Sequence, residues 1–275
     1  MTRIGFMQGR LSPQVGSRIQ AFPWSHWRDE FPLASTLGFR LIEWTLDDEG
    51  LHENPLMTVA GRAEIRELMR ASGVTVASVT GDFLMQAPPF RGSPDAQRGR
   101  TANLAAVIEA CGELSAHTVV WPLVDDGRIA TADDEEQVVR IVGELAPGLR
   151  SRGVRIAFES DFAPSEVTRF ITRLPSDVTG VNYDSGNSAA LGFNPDDELQ
   201  AYGDRVINVH IKDRVRNGGS VPLGAGAANL PQVARNLRAA GYGGNYVLQT
   251  ARASDGDHAA ALVRARGVIA PLIAP

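Results

Sequence analysis

Two carboxylates, one imidazole and one carboxamide stand at the ends of consecutive apolar runs in the second half of the chain. These side chains are Glu159, Asp184, His210 and Gln249. Their oxygen atoms, together with one nitrogen of the imidazole ring, suit a hard or borderline divalent cation. The set therefore predicts one bound divalent metal, with manganese, magnesium or cobalt preferred and zinc compatible. The alternative is that each side chain only caps a strand and meets water.

These side chains can share an ion only if the fold brings their strand ends together. Short β-branched runs alternate with amphipathic stretches along the sequence. The runs are apolar at both odd and even positions, as in parallel strands covered on both faces. The predicted strands are 3–7, 40–44, 74–79, 118–122, 154–159, 179–184, 206–212 and 245–249. The clearest predicted helices are 58–72, 98–115, 132–152, 163–174, 229–241 and 256–273.

Eight strands alternating with about eight helices in 275 residues predict one (β/α)8 TIM barrel domain spanning residues 1–275. An open, doubly wound sheet is the alternative, but no Gly-x-Gly-x-x-Gly sequence follows the first run. Barrel enzymes place their active sites at the carboxyl ends of the strands. The four side chains above are therefore expected to converge at one rim.

Lys212 is the only lysine in a chain with 27 lysines and arginines. A guanidinium and an ammonium differ in shape and hydration, so a retained lysine indicates a position that needs the compact ammonium. Lys212 lies two residues after His210, which places it at the same predicted rim. The alternative is a surface lysine retained by chance.

Several motifs at these strand ends resemble those of the xylose-isomerase-like TIM barrels, the group of sugar phosphate isomerases and epimerases. The matching segments are Phe158-Glu159, Tyr183-Asp-Ser-Gly-Asn187, His210-Ile-Lys-Asp213 and Val221-Pro-Leu-Gly-Ala-Gly226. The resemblance covers essentially the whole chain. It implies a carbohydrate substrate and makes Glu159, Asp184 and His210 ligands of one divalent metal, with Gln249 as the fourth. Relatives commonly form dimers or tetramers, so a homo-oligomer is an expectation as well.

Two positions depart from the family pattern. Many relatives have His where this chain has Asn187, and the strand-eight Glu is here Gln249. An amide coordinates through its oxygen but cannot take a proton, which disfavours a two-base mechanism at the usual positions. Our hypothesis is that Glu159 acts both as ligand and as general base, removing a proton next to a metal-polarised carbonyl. Lys212 or a bound water would then assist the oxygen.

Six further side chains near this rim are predicted to contact the substrate. They are Arg10, Glu43, Asn187, Asp213, Arg214 and Arg252. The arginines could hold a phosphate or carboxylate on the substrate, or they could pair with aspartates at the surface. Glu43 could bind a substrate hydroxyl or pair with an arginine such as Arg10.

Composition narrows the classes of function. The net charge of −5 disfavours a polyanion as partner, and five scattered histidines do not suit the multi-histidine zinc site of the endonuclease branch. One cysteine excludes a disulfide framework within the chain, and no apolar run reaches the length of a transmembrane helix. We expect a cytoplasmic protein that binds neither nucleic acid nor membrane. Two alternatives to an isomerase or epimerase stay open, namely an inosose-type dehydratase and a barrel that binds a sugar without catalysis.

Overall fold

A computed structural model describes residues 4–274, and within them eight parallel strands form a closed barrel. The barrel strands are β1 Ile4–Met7, β2 Leu41–Thr45, β3 Thr75–Thr80, β4 Thr118–Leu123, β5 Arg155–Ser160, β6 Thr179–Asp184, β7 Val206–Ile211 and β10 Tyr246–Leu248. A short antiparallel pair outside the barrel consists of β8 Asp213–Arg214 and β9 Ser220–Val221. Around the barrel the order is β1-β10-β7-β6-β5-β4-β3-β2. The predicted TIM barrel is confirmed. Each predicted barrel strand agrees within one residue at either end, although Arg3, at the start of the first, lies outside the described residues.

Helices connect the strands and surround the barrel. They are α1 Glu30–Thr36, α2 Val59–Ser72, α3 Asp82–Gln86, α4 Pro94–Leu114, α5 Ala132–Arg152, α6 Pro164–Ile171, α7 Ser185–Leu191, α8 Pro195–Tyr202, α9 Leu230–Ala239 and α10 His258–Ile273. The six stretches predicted as helices correspond to α2, α4, α5, α6, α9 and α10. The short helices α1, α3, α7 and α8 were not predicted individually, because five to eight residues carry too little periodicity.

Local sequence signals set the limits of the longer helices. The side chain of Thr131 accepts a hydrogen bond from the backbone of Asp134, and the Asp134 carboxylate accepts one from the backbone of Thr131, so α5 begins with a capping box. Gly73 and Gly153 end α2 and α5 with φ of 69° and 64°. This left-handed conformation favours glycine and turns the chain into the next strand.

Alternation along the strands gives the barrel a polar interior beside its apolar exterior. On β6, Tyr183 bonds Glu198 of α8 on the outer side, whereas Asn182 and Asp184 contact residues of the neighbouring strands inside. The register between β6 and β7 shifts at Asn182, an irregularity of the kind that re-aims a side chain. Within residues 4–274, no helix combines the length and apolar character needed to cross a bilayer. The carboxyl-end rim of the barrel is called the mouth below.

Candidate active site

Glu159, Asp184 and His210 meet at the mouth. They lie near the carboxyl ends of β5, β6 and β7, and the strand register places Asp184 opposite His210. One ligand atom of each lies within 4.8 Å of the others, and all three residues are buried. Two carboxylate oxygens and an imidazole nitrogen at this spacing are donors that a divalent cation can share.

The two carboxylate oxygens of Asp184 have different surroundings. Its Oδ1 accepts hydrogen bonds from the backbone N–H groups of Gly186 (2.9 Å) and Asn187 (2.8 Å), and so caps α7. Its Oδ2 is buried, and no donor among the described residues bonds it. A buried carboxylate oxygen without a hydrogen bond is costly. Asp184 therefore fits a divalent metal held together with Glu159 and His210.

His210 is held through both ring nitrogens. Its Nε2 lies 2.6 Å from Glu43 Oε1, and its Nδ1 lies 3.2 Å from Glu159 Oε2 and 3.9 Å from Asp184 Oδ2. Nδ1 is thus the nitrogen that points toward the two carboxylates of the site. A metal at this position would be bound through Nδ1, while Nε2 stays hydrogen-bonded to Glu43.

Glu43 lies on β2 inside the barrel and is 1% exposed. Its Oε2 accepts hydrogen bonds from Ser78 Oγ (2.6 Å) and Asn208 Nδ2 (2.9 Å), while Oε1 holds the ring of His210. A carboxylate on the far nitrogen of a ligating histidine fixes its ring orientation and tautomer. These contacts give both of its oxygens buried protein partners and favour a role in holding His210, and the predicted contact of Glu43 with substrate stays a prediction.

Two asparagines hold the carboxylate of Glu159. Asn182 Nδ2 donates to Oε2 and Asn187 Nδ2 donates to Oε1, both at 2.7 Å. Asn187 is held in turn by Arg214, whose Nη1 donates to its Oδ1 at 2.9 Å. Donors on both oxygens favour the ionised carboxylate and fix its direction. Asn187 is therefore linked to the site through Glu159.

Lys212 directly follows β7 and extends toward the cluster. Its Nζ lies 3.2 Å from Gln249 Oε1 and 3.7 Å from Asp184 Oδ2. Its backbone is bonded to Ser185 Oγ, and a Cβ on Gly186 would come within 2.7 Å of the Lys212 side chain. The start of α7 thus packs directly on Lys212. The ammonium of Lys212 therefore lies between the amide of Gln249 and the carboxylate of Asp184. The role of Gln249 as a metal ligand stays a prediction.

Charges within the cluster shift pKa values in different directions. Burial would lower the pKa of His210, but the carboxylates of Glu43 and Glu159 raise it to about 10. Burial also opposes ionisation of Glu159, yet the hydrogen bond and charge of His210 bring its pKa below the usual value. Burial raises the pKa of Asp184 against the opposing charge of Lys212. Because a ligating imidazole must be neutral, metal binding is expected to release the Nδ1 proton of His210.

Comparison with known families matches this barrel over most of its length. A model of the family described as "Xylose isomerase-like TIM barrel" matches residues 31–269. The chain belongs to the xylose isomerase-like TIM barrel family. A search of curated proteins finds no match to this family member.

Solved structures similar to this xylose isomerase-like barrel share its fold at low sequence identity. D-psicose 3-epimerase of Clostridium cellulolyticum H10, solved with D-tagatose, has a TM-score of 0.77 and 15% identity, with 100% of both chains covered. The IOLI protein, solved with a zinc atom, has a TM-score of 0.77 and 17% identity, covering 99% of this chain and 98% of that one. The 3-keto-D-glucoside 4-epimerase YcjR of E. coli has a TM-score of 0.72 and 17% identity, covering 97% and 100%.

Two of the arginines predicted to bind substrate hold the loop after β1 in this family member. Arg10 donates to the carbonyl oxygens of Thr250 and Ile19, both at 2.9 Å. Arg252 donates to the carbonyl oxygens of Gly9 and Ser12. Burial and the charge of Arg252 lower the pKa of Arg10 to about 9. Both guanidiniums therefore bond the protein's own backbone, which favours a structural role over the predicted substrate contact.

The carboxylate of Asp213 is hydrogen-bonded to the loop that follows β9. Its Oδ2 accepts hydrogen bonds from the backbone of Gly224 (2.8 Å) and Gly226 (2.9 Å), and its Oδ1 accepts one from Ala228 (2.9 Å). Its exposed fraction is 0%. This geometry favours a role in positioning the loop, and the predicted contact of Asp213 with substrate stays a prediction. Arg214 likewise bonds protein groups, since its Nε donates to Gly218 O at 2.9 Å, beside the bond to Asn187.

Sequence reasoning missed the asparagines that organise the site from inside the barrel. Asn182 bonds Glu159 and lies 3.0 Å from His210 Nδ1, and Asn208 bonds both Glu43 and Asn182. A signal for them exists, because each stands two residues before a predicted ligand on its strand. Residues two apart on a strand point to the same face. An asparagine at that spacing is thus expected inside the barrel.

Proposed function

We propose that this chain is a divalent-metal-dependent carbohydrate isomerase or epimerase. The observation that carries the proposal is the buried Oδ2 of Asp184, which lacks a donor among residues 4–274 and lies beside Glu159 and His210. Membership of the xylose isomerase-like family supports it, as do solved structures named as sugar epimerases that share the fold. A zinc atom in the IOLI protein agrees with a metal in such a barrel.

Glu159, Asp184 and His210 would hold the metal, and we propose the amide oxygen of Gln249 as a fourth ligand. A bound divalent cation supplies Lewis-acid polarisation of a substrate carbonyl. The donor set suits manganese, magnesium or cobalt, and the zinc of the IOLI protein keeps zinc among the candidates.

Glu159 would remove the proton next to that carbonyl. Its carboxylate is ionised at neutral pH, because its pKa is lowered, and the amides of Asn182 and Asn187 fix its direction. The ammonium of Lys212 would stabilise the negative charge that develops on the substrate oxygen. Gln249 cannot accept a proton, which leaves Glu159 as the base among the two strand-end positions of the family pattern.

The reaction is tested by a screen of ketoses and aldoses in deuterated water with Mn²⁺ added. We expect one carbohydrate to be converted, and the carbon next to its carbonyl to acquire deuterium, because proton removal there exposes the site to solvent exchange. Chelation of the metal is expected to stop both conversion and exchange. Absence of exchange with every sugar would contradict the proposal. Formation of an enone from a keto-inositol would identify the dehydratase alternative instead.

The expected substrate is a neutral carbohydrate. Arg10, Arg214 and Arg252, three of the four arginines predicted to bind a phosphate, each donate to carbonyl oxygens within the protein, and the fourth, Arg216, is exposed. A charged phosphate left without a partner costs about 1–3 kcal/mol or more. We therefore expect kcat/KM for the free sugar to exceed that for its phosphate by at least about tenfold. Steady-state kinetics on a matched pair measure this, and faster turnover of the phosphate would refute it.

A further inference from the structure

Asp82 is a buried carboxyl group at the mouth that the mechanism above does not use. It is the first residue of α3, directly after β3, and 8% of its surface is exposed. In the barrel β3 is separated from β5 by β4 alone. Asp82 and Glu159 therefore stand two strands apart at the same rim of the barrel.

The carboxyl group of Asp82 is held loosely. Within the described part of the chain, its one hydrogen-bond partner is Thr80 Oγ1, at the long distance of 3.3 Å. The neighbouring Asp47 differs, because Phe22 N bonds its Oδ2 at 2.8 Å and Gln86 Nε2 bonds its Oδ1 at 2.9 Å. Asp47 is thus a structural carboxylate, whereas Oδ2 of Asp82 accepts no hydrogen bond from the described residues and can contact another group.

Four charged groups act on Asp82 from the elements around it. Burial and the carboxylates of Asp47 and Glu159 raise its pKa to about 7, and His210 opposes them. Arg10 is the fourth group, and its own pKa responds to the charge of Asp82. A carboxyl group in this environment is partly protonated at neutral pH and can give up a proton there.

We propose that Asp82 is the second proton-transfer residue of the site and does what the amide of Gln249 cannot. This inference rests on the proposed function and makes the reaction an epimerisation. Glu159 takes the proton from the carbon next to the carbonyl, and the electron pair of the C–H bond moves toward the carbonyl oxygen. Asp82 then gives its proton to the opposite face of the same carbon. The reaction leaves Glu159 protonated and Asp82 ionised, and exchange with water restores both.

The test compares Asp82→Asn with wild type on a substrate deuterated at the reacting carbon. In the variant we expect Glu159 to remove the deuteron and return a solvent proton to the same face. Epimer formation should fall about 10²–10⁴-fold while the substrate still loses its label. Asp126→Asn, which removes an exposed carboxylate at the same rim, is the matched control and should form epimer at the wild-type rate.

Epimer formation by Asp82→Asn within threefold of wild type would overturn the inference. Loss of label exchange together with epimer formation would also overturn it, because Asp82 would then be needed for the first step. Label retention by the wild-type enzyme would contradict the proposed function itself.

A second readout does not depend on turnover. Infrared difference spectra of the Mn²⁺-supplemented protein at pH 6 should contain a protonated-carboxyl band that Asp82→Asn lacks and Asp126→Asn keeps. Because Glu30 is also a buried carboxyl group with a pKa raised to about 7, the comparison is between proteins, and identical bands in wild type and Asp82→Asn at pH 6 would exclude Asp82 as a proton donor, whatever the substrate is.

Discussion

Replacing Glu159 by Gln is expected to lower turnover by about 10²–10⁴-fold, the usual contribution of a general base. The substitution keeps the size of the side chain but removes its ability to take a proton. It also sets an amide nitrogen against one of the N–H donors of Asn182 and Asn187, which now bond the two carboxylate oxygens. The measurement is kcat on the carbohydrate found in the screen, at saturating Mn²⁺ so that weaker metal binding does not limit the rate.

Glu67→Gln serves as the control, since Glu67 is exposed in the half of α2 that leads to the start of β3, away from the mouth, and should keep wild-type turnover. Circular dichroism spectra of both variants should match wild type, because Glu159 lies at the rim of the barrel and not in its apolar core. Turnover of Glu159→Gln within tenfold of wild type would remove Glu159 from the mechanism.

Replacing Glu43 by Gln is expected to weaken metal binding by about 10–100-fold, as changes of such supporting carboxylates do. The 2.6 Å contact between Glu43 Oε1 and His210 Nε2 fixes the ring so that Nδ1 faces Glu159 and Asp184. A neutral amide holds the imidazole of His210 less firmly, and it leaves Nδ1 less basic and therefore a weaker metal ligand. Isothermal titration with Mn²⁺ measures the change directly, without any substrate.

Ser78→Ala separates this effect from general disturbance of the barrel interior. It removes the hydroxyl that bonds Glu43 Oε2 and leaves the contact between carboxylate and imidazole in place. Its effect on metal affinity should therefore be clearly smaller than that of Glu43→Gln. Equal affinities of Glu43→Gln and wild type for Mn²⁺ would mean that Glu43 does not support the metal.

The barrel itself was predictable strand by strand. Runs such as 118–122 and 154–159 are short, apolar on both parities and followed by helical periodicity, which is what a strand covered on two faces requires. The short helix α7 could not be found this way, because Ser-Gly-Asn after Asp184 carries no helical pattern. Its N-terminus forms because the Asp184 carboxylate bonds the backbone of Gly186 and Asn187.

The predicted ligands stand at strand ends, and the structure brings Glu159, Asp184 and His210 together. The same reasoning could not assign Glu43, because its strand-end position is equally compatible with substrate or with a partner inside the barrel. Only closure of the barrel places β2 across from β7, where Glu43 meets His210. The arginines were ambiguous for a similar reason, since backbone carbonyl partners leave no mark in the sequence.

By itself the sequence determined the class of fold and the end of the barrel where the chemistry lies, because both follow from local periodicity and from the rule that parallel strands end together. The tertiary structure alone decided which polar side chains touch one another. Contacts such as those of Glu43 with His210 and of Arg10 with Thr250 join residues more than 160 positions apart. Their partners depend on the closed geometry of all eight strands, and no local pattern encodes that geometry.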